Sequence, residues 1–276
     1  MIRITALMDN QLSAHRALTA QHGLSYHIDF HGQQLLFDCG SGPAFLDNAR
    51  RLDIHLEQLD AVILSHSHYD HAGGYPFLLE AGLGCETLFT GPGFFVPKYA
   101  QSPGKYTYLG GGFGPELLAA HAIRHHTVTG LHPLAPGIWL QAGFPRVHAM
   151  ETVPRRFVRL GQDGMEPDDF SDEICLILQV EEGLALLVGC SHPGILNMAA
   201  HVRQLLGQPI RAIYGGTHLA EATPERIEAT LTALQQMGVQ TLGLSHCSGD
   251  TAEAALHARS DTAACHLGVG DVVFYR

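Results

Sequence analysis

Apolar positions along this 276-residue chain recur in two rhythms. Alternation at every second position marks strands. Residues 2–8 read as a first strand, and Leu24, Tyr26, Ile28 and Phe30 share one face of a second. A turn at His31-Gly32 leads to a third, Gln34-Leu35-Leu36-Phe37, ending in Asp38-Cys39-Gly40. An unbroken apolar run marks a buried strand at Ala61 to Leu64, and further strands are read at Ile210 to Tyr214 and Thr241 to Leu244. Glu173 to Val180 and Gly183 to Cys190 form a hairpin about Glu181-Glu182-Gly183. Shorter strands are expected over Glu86 to Thr90, near Gly137–Leu140 and Phe157–Leu160 in the ambiguous stretch 125–170, and over Asp271 to Tyr275.

Helical spacing appears between them. Pro43 to Ile54 carries the stripe Phe45, Leu46, Ala49 and Leu52, with proline in the first turn. Short helices are expected over 75–80 and Pro115 to Arg124, a longer one from Pro193 to Leu206, and a last one near the C-terminus. Thr223 as N-cap and Pro224 in the first turn open a helix that runs to Met237 and stops at Gly238. Strand, polar tip and helix follow one another repeatedly in the second half. This predicts an α/β fold: an αββα sandwich of two mixed β-sheets flanked by helices, one domain over 1–276. Four strands end in polar residues at one presumed edge, at His66 onward, His192, His218 and His246.

The densest chemistry is Leu64-Ser65-His66-Ser67-His68-Tyr69-Asp70-His71-Ala72-Gly73-Gly74. His66 and His68 are two apart in extended backbone, so their side chains point the same way and can meet on one metal. Past the strand end the chain turns, and Asp70 and His71 can swing towards a second. Imidazole with carboxylate suits zinc, with iron or manganese also open. With 19 histidines in the chain, a lone His means little; four donors in this order after a buried strand predict a metal site.

Residues 91–114 break the pattern with seven glycines, three prolines and six aromatics. They read as a lid over the metal site or as a loop pinned to the core by its rings. Asp38 either orients the metal loop or bonds local backbone in its turn.

Bulk composition narrows the function classes. Acidic residues exceed basic ones, 27 against 16, giving a formal charge of −11. That argues against a nucleic-acid or anionic-membrane partner and leaves a small-molecule substrate. No stretch approaches a membrane span, and the N-terminus is too soon polar for a signal peptide. The six cysteines form no C-x-x-C pair, and four lie in or beside apolar runs, as reduced buried thiols would. A cytoplasmic protein is expected; a homodimer is left open.

The order His-x-His-x-Asp-His resembles the signature of the metallo-β-lactamase fold superfamily. The segments Gly189-Cys190-Ser191-His192-Pro193-Gly194, Gly215-Gly216-Thr217-His218-Leu219 and His246-Cys247-Ser248-Gly249 resemble a narrower branch. That branch is named for 7,8-dihydropterin-6-methyl-4-(β-D-ribofuranosyl)aminobenzene-5′-phosphate synthase. The resemblance implies two divalent metal ions, zinc foremost. His66 and His68 would hold the first, with His192 as third ligand; Asp70, His71 and His246 would hold the second. It also tilts Asp38 towards orienting the metal loop. Where many members place a bridging Asp, this chain has none at the tip, so Cys190 or water alone bridges. His218 is unassigned: it would touch substrate, transfer a proton or ligate a metal. Asp70 and His218 are the catalytic candidates, and Tyr69, Lys98, Arg155, Cys247 and Ser248 the candidate substrate contacts.

The implied activity is that of a metal-dependent hydrolase. Two cations sharing a water give hydroxide at neutral pH, which attacks a phosphate ester, ester or lactone, with a pterin-related or other aromatic phosphate as one substrate class. The alternatives are the synthase-type condensation of the branch name and a non-catalytic metal-binding or sensing protein.

Overall fold

In the computed structural model, which describes residues 1–259 and 262–276, the alternating runs become strands and the apolar stripes become helices. An antiparallel meander of β1 (Ile2–Met8), β2 (Ser25–Phe30) and β3 (Gln33–Phe37) opens the chain. Helix α1 (Ala44–Arg51) crosses to β4 (Ala61–Ile63), which lies parallel to β3. Short helices α2 (Tyr69–Ala72) and α3 (Tyr75–Glu80) lead to β5 (Thr87–Thr90), parallel to β4. A hairpin of β6 (Lys98–Ser102) and β7 (Lys105–Tyr108) precedes α4 (Pro115–Ala120) and β8 (Arg124–Thr127). Two further hairpins follow, β9 (Leu131–Ala135) with β10 (Ile138–Ala142) and β11 (Phe157–Gly161) with β12 (Gly164–Pro167). The hairpin β13 (Ile174–Val180) and β14 (Gly183–Val188) then feeds α5 (Ile195–Leu206), β15 (Ile210–Gly215), α6 (Pro224–Gln236) and β16 (Thr241–Leu244). Helix α7 (Asp250–His257), β17 (Ala263–Cys265) and β18 (Val272–Tyr275) end the chain.

Among the described residues these strands make two seven-stranded sheets, ordered β18-β1-β2-β3-β4-β5-β8 and β17-β16-β15-β14-β13-β10-β9. Each mixes parallel and antiparallel pairs. The αββα arrangement follows from how the strands sort their side chains. On β13, Ile174, Leu176 and Leu178 join an apolar cluster with Ile4, Ile28, Phe37 and Ile63 of the first sheet. Cys175 and Ile177, pointing the other way, join Leu196, Val202, Ile227 and Leu231 of α5 and α6. The first sheet does the same: Leu35 and Phe37 face inward, while Leu36 and Val62 pack beneath Phe45 of α1 and Leu78 of α3. Strands covered on both faces, such as β4, β13 and β14, are apolar on both and read as near-continuous runs, whereas β2 alternates, with Ser25, His27 and Asp29 on its other face. Each fully buried Leu or Ile contributes about 1.5–3 kcal/mol.

Residues 91–114, read from sequence as a lid or a loop pinned to the core, hold β6 and β7. These join β11 and β12 in a four-stranded sheet ordered β12-β11-β6-β7. The pairing is long-range, with Val158 opposite Tyr99, and no local pattern encodes it. Helix α5 starts at Ile195 rather than Pro193, because Gly194 takes φ 100° at its N-terminus. No helix among the described residues is long and apolar enough to cross a membrane.

Candidate metal centre

β14, β15 and β16 are parallel neighbours, so their C-terminal tips, carrying His192, His218 and His246, arrive at one edge. β3 and β4 are also parallel, and their tips carry Asp38 and the His66–His71 loop. The two edges meet. At these tips Asp38, Ser191, His218 and His246 take positive φ, between 50° and 60°. Non-glycine residues rarely adopt that conformation, and it clusters at functional sites.

The first donor group is His66, His68 and His192, whose ligand atoms lie within 4.8 Å of one another. All three rings are buried. Nε2 of His66 and Nε2 of His68 meet no hydrogen-bond partner, and an unpaired buried polar atom costs about 1–3 kcal/mol. A cation is the partner their lone pairs fit. The other side of the His192 ring is fixed: its Nδ1 donates to Glu173 Oε2 at 2.8 Å, and the Ser191 and His192 backbone N–H groups also donate to that carboxylate. Phe170 stacks on His192 at 3.8 Å and 6°, which prevents the ring from turning.

The second group surrounds His71. Its Nδ1 donates to Asp38 Oδ2 at 2.6 Å, leaving Nε2 3.1 Å from Cys190 Sγ and 3.2 Å from His246 Nε2. His246 Nε2 is also 3.2 Å from Asp70 Oδ2, and its Nδ1 is 3.0 Å from Asn10 Oδ1. A carboxylate can only accept, so it fixes the proton on Nδ1 and frees Nε2 for a ligand. Cys190 forms one donor set with His66 and His71 and another with His246 and Cys247, so its sulfur stands between the two groups. Asp38 also accepts from the Ser65 backbone N–H at 2.7 Å, locking the start of the metal loop. Close approach matters here: a Cβ on Gly189 would lie 3.2 Å from His66 Nδ1 and nearer still to Ser65.

Electrostatics follow burial. Burial and then the neighbouring histidines hold His66 and His192 well below the ordinary imidazole range, in the neutral form a cation requires. Burial opposes a charge on His71 too, but Asp38 overrides it and lifts the ring to about 9. Burial also works against ionised Asp70, yet hydrogen bonds from His22 and His246 hold its carboxyl well below the usual range. His218 sits 4.8 Å, ring to ring, from His192 and is lowered to about 4, chiefly by burial. It is a neutral imidazole at physiological pH.

The remaining candidates divide. Tyr69 stands at the rim, 41% exposed. Cys247 lies beside Cys190, its Sγ 3.7 Å from the Cys190 carbonyl. Of three others, Ser248 and Lys98 are buried and Arg155 is exposed. Ser248 is fully buried; its Oγ accepts from the Thr217 backbone N–H at 3.1 Å, tying the tips of β15 and β16 together. Lys98 is buried, with Nζ 2.5 Å from Asp172 and 3.2 Å from Asp168. Burying an ammonium requires partners, and β6 carries this one beneath Phe170, 4.5 Å from the ring centre. Arg155 lines a cavity on the small sheet with Gln101, Tyr106 and Met165. Its neighbour Arg156 lies 4.4 Å over Phe157 and pairs with Glu221, and Arg146 donates to the His192 carbonyl at 3.2 Å.

Sequence reasoning passed over Glu173, Phe170, Asn10 and His22. Glu173 could have been found as an ionisable residue opening an otherwise apolar strand. His22 had no signal, since the loop before β2 has no periodicity.

Comparison with known proteins places this geometry. Residues 18–83 match the family model of the metallo-beta-lactamase superfamily. The whole chain superposes on the crystal structure of Tm1679, described as a metal-dependent hydrolase of the beta-lactamase superfamily, with TM-score 0.84 and 25% identity over 99% of each chain. The chain has the metallo-β-lactamase fold, and its residues 18–83 resemble that superfamily in sequence. The chain is 29% identical over 264 residues to 7,8-dihydropterin-6-methyl-4-(beta-D-ribofuranosyl)-aminobenzene-5'-phosphate synthase of Methanocaldococcus jannaschii, covering 91% of this chain and 89% of that one. It is 26% identical over 268 residues to an uncharacterized protein of the same organism, covering 97% and 98%. The metallo-β-lactamase fold implies divalent metal binding, and the donor groups above could hold such an ion.

Proposed function

We propose that this chain is a dinuclear metal-dependent hydrolase of a small anionic ester, with a phosphate ester as its preferred class. The observation that carries it is the pair of buried, partnerless Nε2 atoms on His66 and His68 beside the further donor sets His66–His71–Cys190 and His22–Asp70–His246. His66, His68 and His192 would hold one ion and Asp70, His71 and His246 the other, with Cys190 between them. Nitrogen, sulfur and carboxylate donors together favour zinc. Bound there, such ions supply Lewis-acid polarisation of a phosphoryl or carbonyl oxygen and lower the pKa of water.

The protein's own groups do the rest. Asp38 and Glu173 fix the imidazole tautomers. Phe157 and Phe170 wall the His68–His192 side and exclude water from it. Neutral His218 offers a hydrogen bond at the rim. Arg156 can exchange Glu221 for a substrate anion in the bidentate geometry a guanidinium favours. The six free cysteines fit a reducing compartment such as the cytoplasm.

A second reading, condensation of a pterin-type aromatic phosphate, is supported by the similarity to the archaeal synthase along most of the chain. Metal analysis of purified protein, then a screen on phosphodiesters, phosphomonoesters, esters and lactones, tests the proposal. Two bound ions with phosphoesterase activity that disappears in the His66→Ala/His68→Ala protein are expected. Full activity in that variant would reject both readings. Bound ions with no turnover of any ester would leave condensation, or metal sensing, in place of hydrolysis.

A further inference from the structure

His22 lies on the loop between β1 and β2 and belongs to none of the motifs that define the site. Its Nε2 is nevertheless 3.1 Å from Asp70 Oδ2, the oxygen that also faces His246 Nε2 at 3.2 Å. Its ring is 4.9 Å from that of His246. The ligand atoms of His22, Asp70 and His246 all fall within 4.8 Å of one another. The His22 side chain is 55% exposed, whereas those of Asp70 and His246 are 10% and 1% exposed. The imidazole therefore covers the outer face of the second donor group.

The backbone holds it there. The Gly23 N–H donates to Asn10 Oδ1 at 3.1 Å, the same oxygen that faces His246 Nδ1. Asn10 Nδ2 donates in turn to the His246 carbonyl at 3.1 Å. The Leu24 N–H donates to the Asp70 carbonyl at 3.0 Å. Gly23 itself takes φ +145°, and a Cβ there would stand 2.5 Å from the Asp70 carbonyl oxygen. The residue after His22 is thus required to be glycine, so that this loop can press against the metal loop. Two tethers, one to the Asp70 carbonyl and one through Asn10 to His246, set the position of a side chain that also faces the Tyr69 ring at 6.2 Å.

We infer that His22 is an additional ligand of the second cation, closing its solvent side and slowing its loss. This rests on the two-ion reading above. An imidazole on a surface loop is a donor that can leave and return without disturbing the core, so the second ion would be the exchangeable one. The first ion, enclosed by His66, His68 and His192, has no such exposed ligand in its donor group.

The test is titration of chelator-stripped full-length protein with Co(II). Visible absorption and competition with a chromophoric chelator are read for the unmodified chain, His22→Ala and His22→Asn. The unmodified chain is expected to take up two ions. Both variants should keep the first affinity, bind the second about ten- to a hundredfold more weakly, and release it faster. Their absorption should differ only in the part that grows with the second equivalent. Equal second-ion affinity, release and spectrum in all three would overturn the role of His22 alone, reducing it to a hydrogen bond on Asp70. A single ion in the unmodified chain would overturn this inference and the dinuclear reading together.

Discussion

Asp38 Oδ2 lies 2.6 Å from Nδ1 of His71, with both side chains completely buried. The other carboxylate oxygen accepts from the Ser65 backbone N–H, so one strand-end residue sets both the start of the metal loop and the direction of its last histidine. Asp38→Asn keeps the shape but loses the charge that holds the Nδ1 proton. Metal content after desalting should fall at the second position, with affinity reduced about ten- to a hundredfold, while the first ion is retained. Elemental analysis at matched protein concentration checks this. Loss of both ions in equal measure would show that Asp38 acts on the whole loop rather than on His71.

Metal removal should be felt as lost stability. Donors come from both large sheets, from the His66–His71 loop on one side and the tips of β14 and β16 on the other. An ion held at a hundred times its dissociation constant adds about 2.7 kcal/mol to folding. The melting temperature should therefore fall on exhaustive chelation and recover with added zinc. Calorimetry with and without chelator measures it, and an unchanged melt would mean that the native fold binds no ion tightly.

Lys98→Met should damage the fold more than it damages substrate recognition. Lys98 is the cation between Asp168 and Asp172, and removing it leaves two buried carboxylates facing each other. Breaking a buried pair in this way costs about 3–5 kcal/mol. Denaturant unfolding should show the loss, whereas KM for any surviving activity should change little. A large KM effect at unchanged stability would restore Lys98 as a substrate contact.

His266 provides a pH-dependent contribution behind the second donor group, through Asp9, which also accepts from the His246 backbone N–H at 2.9 Å. It bridges Asp9 and Glu253, each at 2.8 Å, with Asp271 also close enough to interact. Burial opposes its charge, but Asp9 and then Glu253 lift its pKa from 6.5 to about 9. A raised folded-state pKa means stabilisation that is complete below the unfolded value of about 6.5 and disappears as pH climbs through about 9. The stability difference between the unmodified chain and His266→Gln should be largest near pH 6 and shrink towards pH 9.5. Parallel denaturation curves at several pH values test this; a constant difference would show that His266 acts through packing alone.

The layers of this fold were legible in the sequence because each large sheet is covered on both faces. Unbroken runs such as Ile174–Leu178 and Leu184–Val188 could be little else than buried strands. His66, His68, Asp70 and His71 were legible because they lie within one short segment, and His192 and His246 because each follows such a run. What escaped notice is held by long-range pairing or single contacts. β6 joins β11 across more than fifty residues, and Lys98 meets Asp172 across 74. Arg155 and Arg156 are adjacent in sequence, and only the packing of Phe157 decides which one approaches the site. Glu173 reaches His192 across the β13–β14 hairpin, a register no composition reveals.

The common direction of β14, β15 and β16 has a consequence for how such a protein can change over evolutionary time. Three imidazoles are delivered by three short connections whose length and wording are independent of the apolar layers behind them. A lineage could exchange sulfur for oxygen at one connection, or swap the group beside an incoming molecule at another, and inherit the same scaffold intact. Diversity of reaction is cheap in this architecture because the parts that choose it are replaceable one at a time.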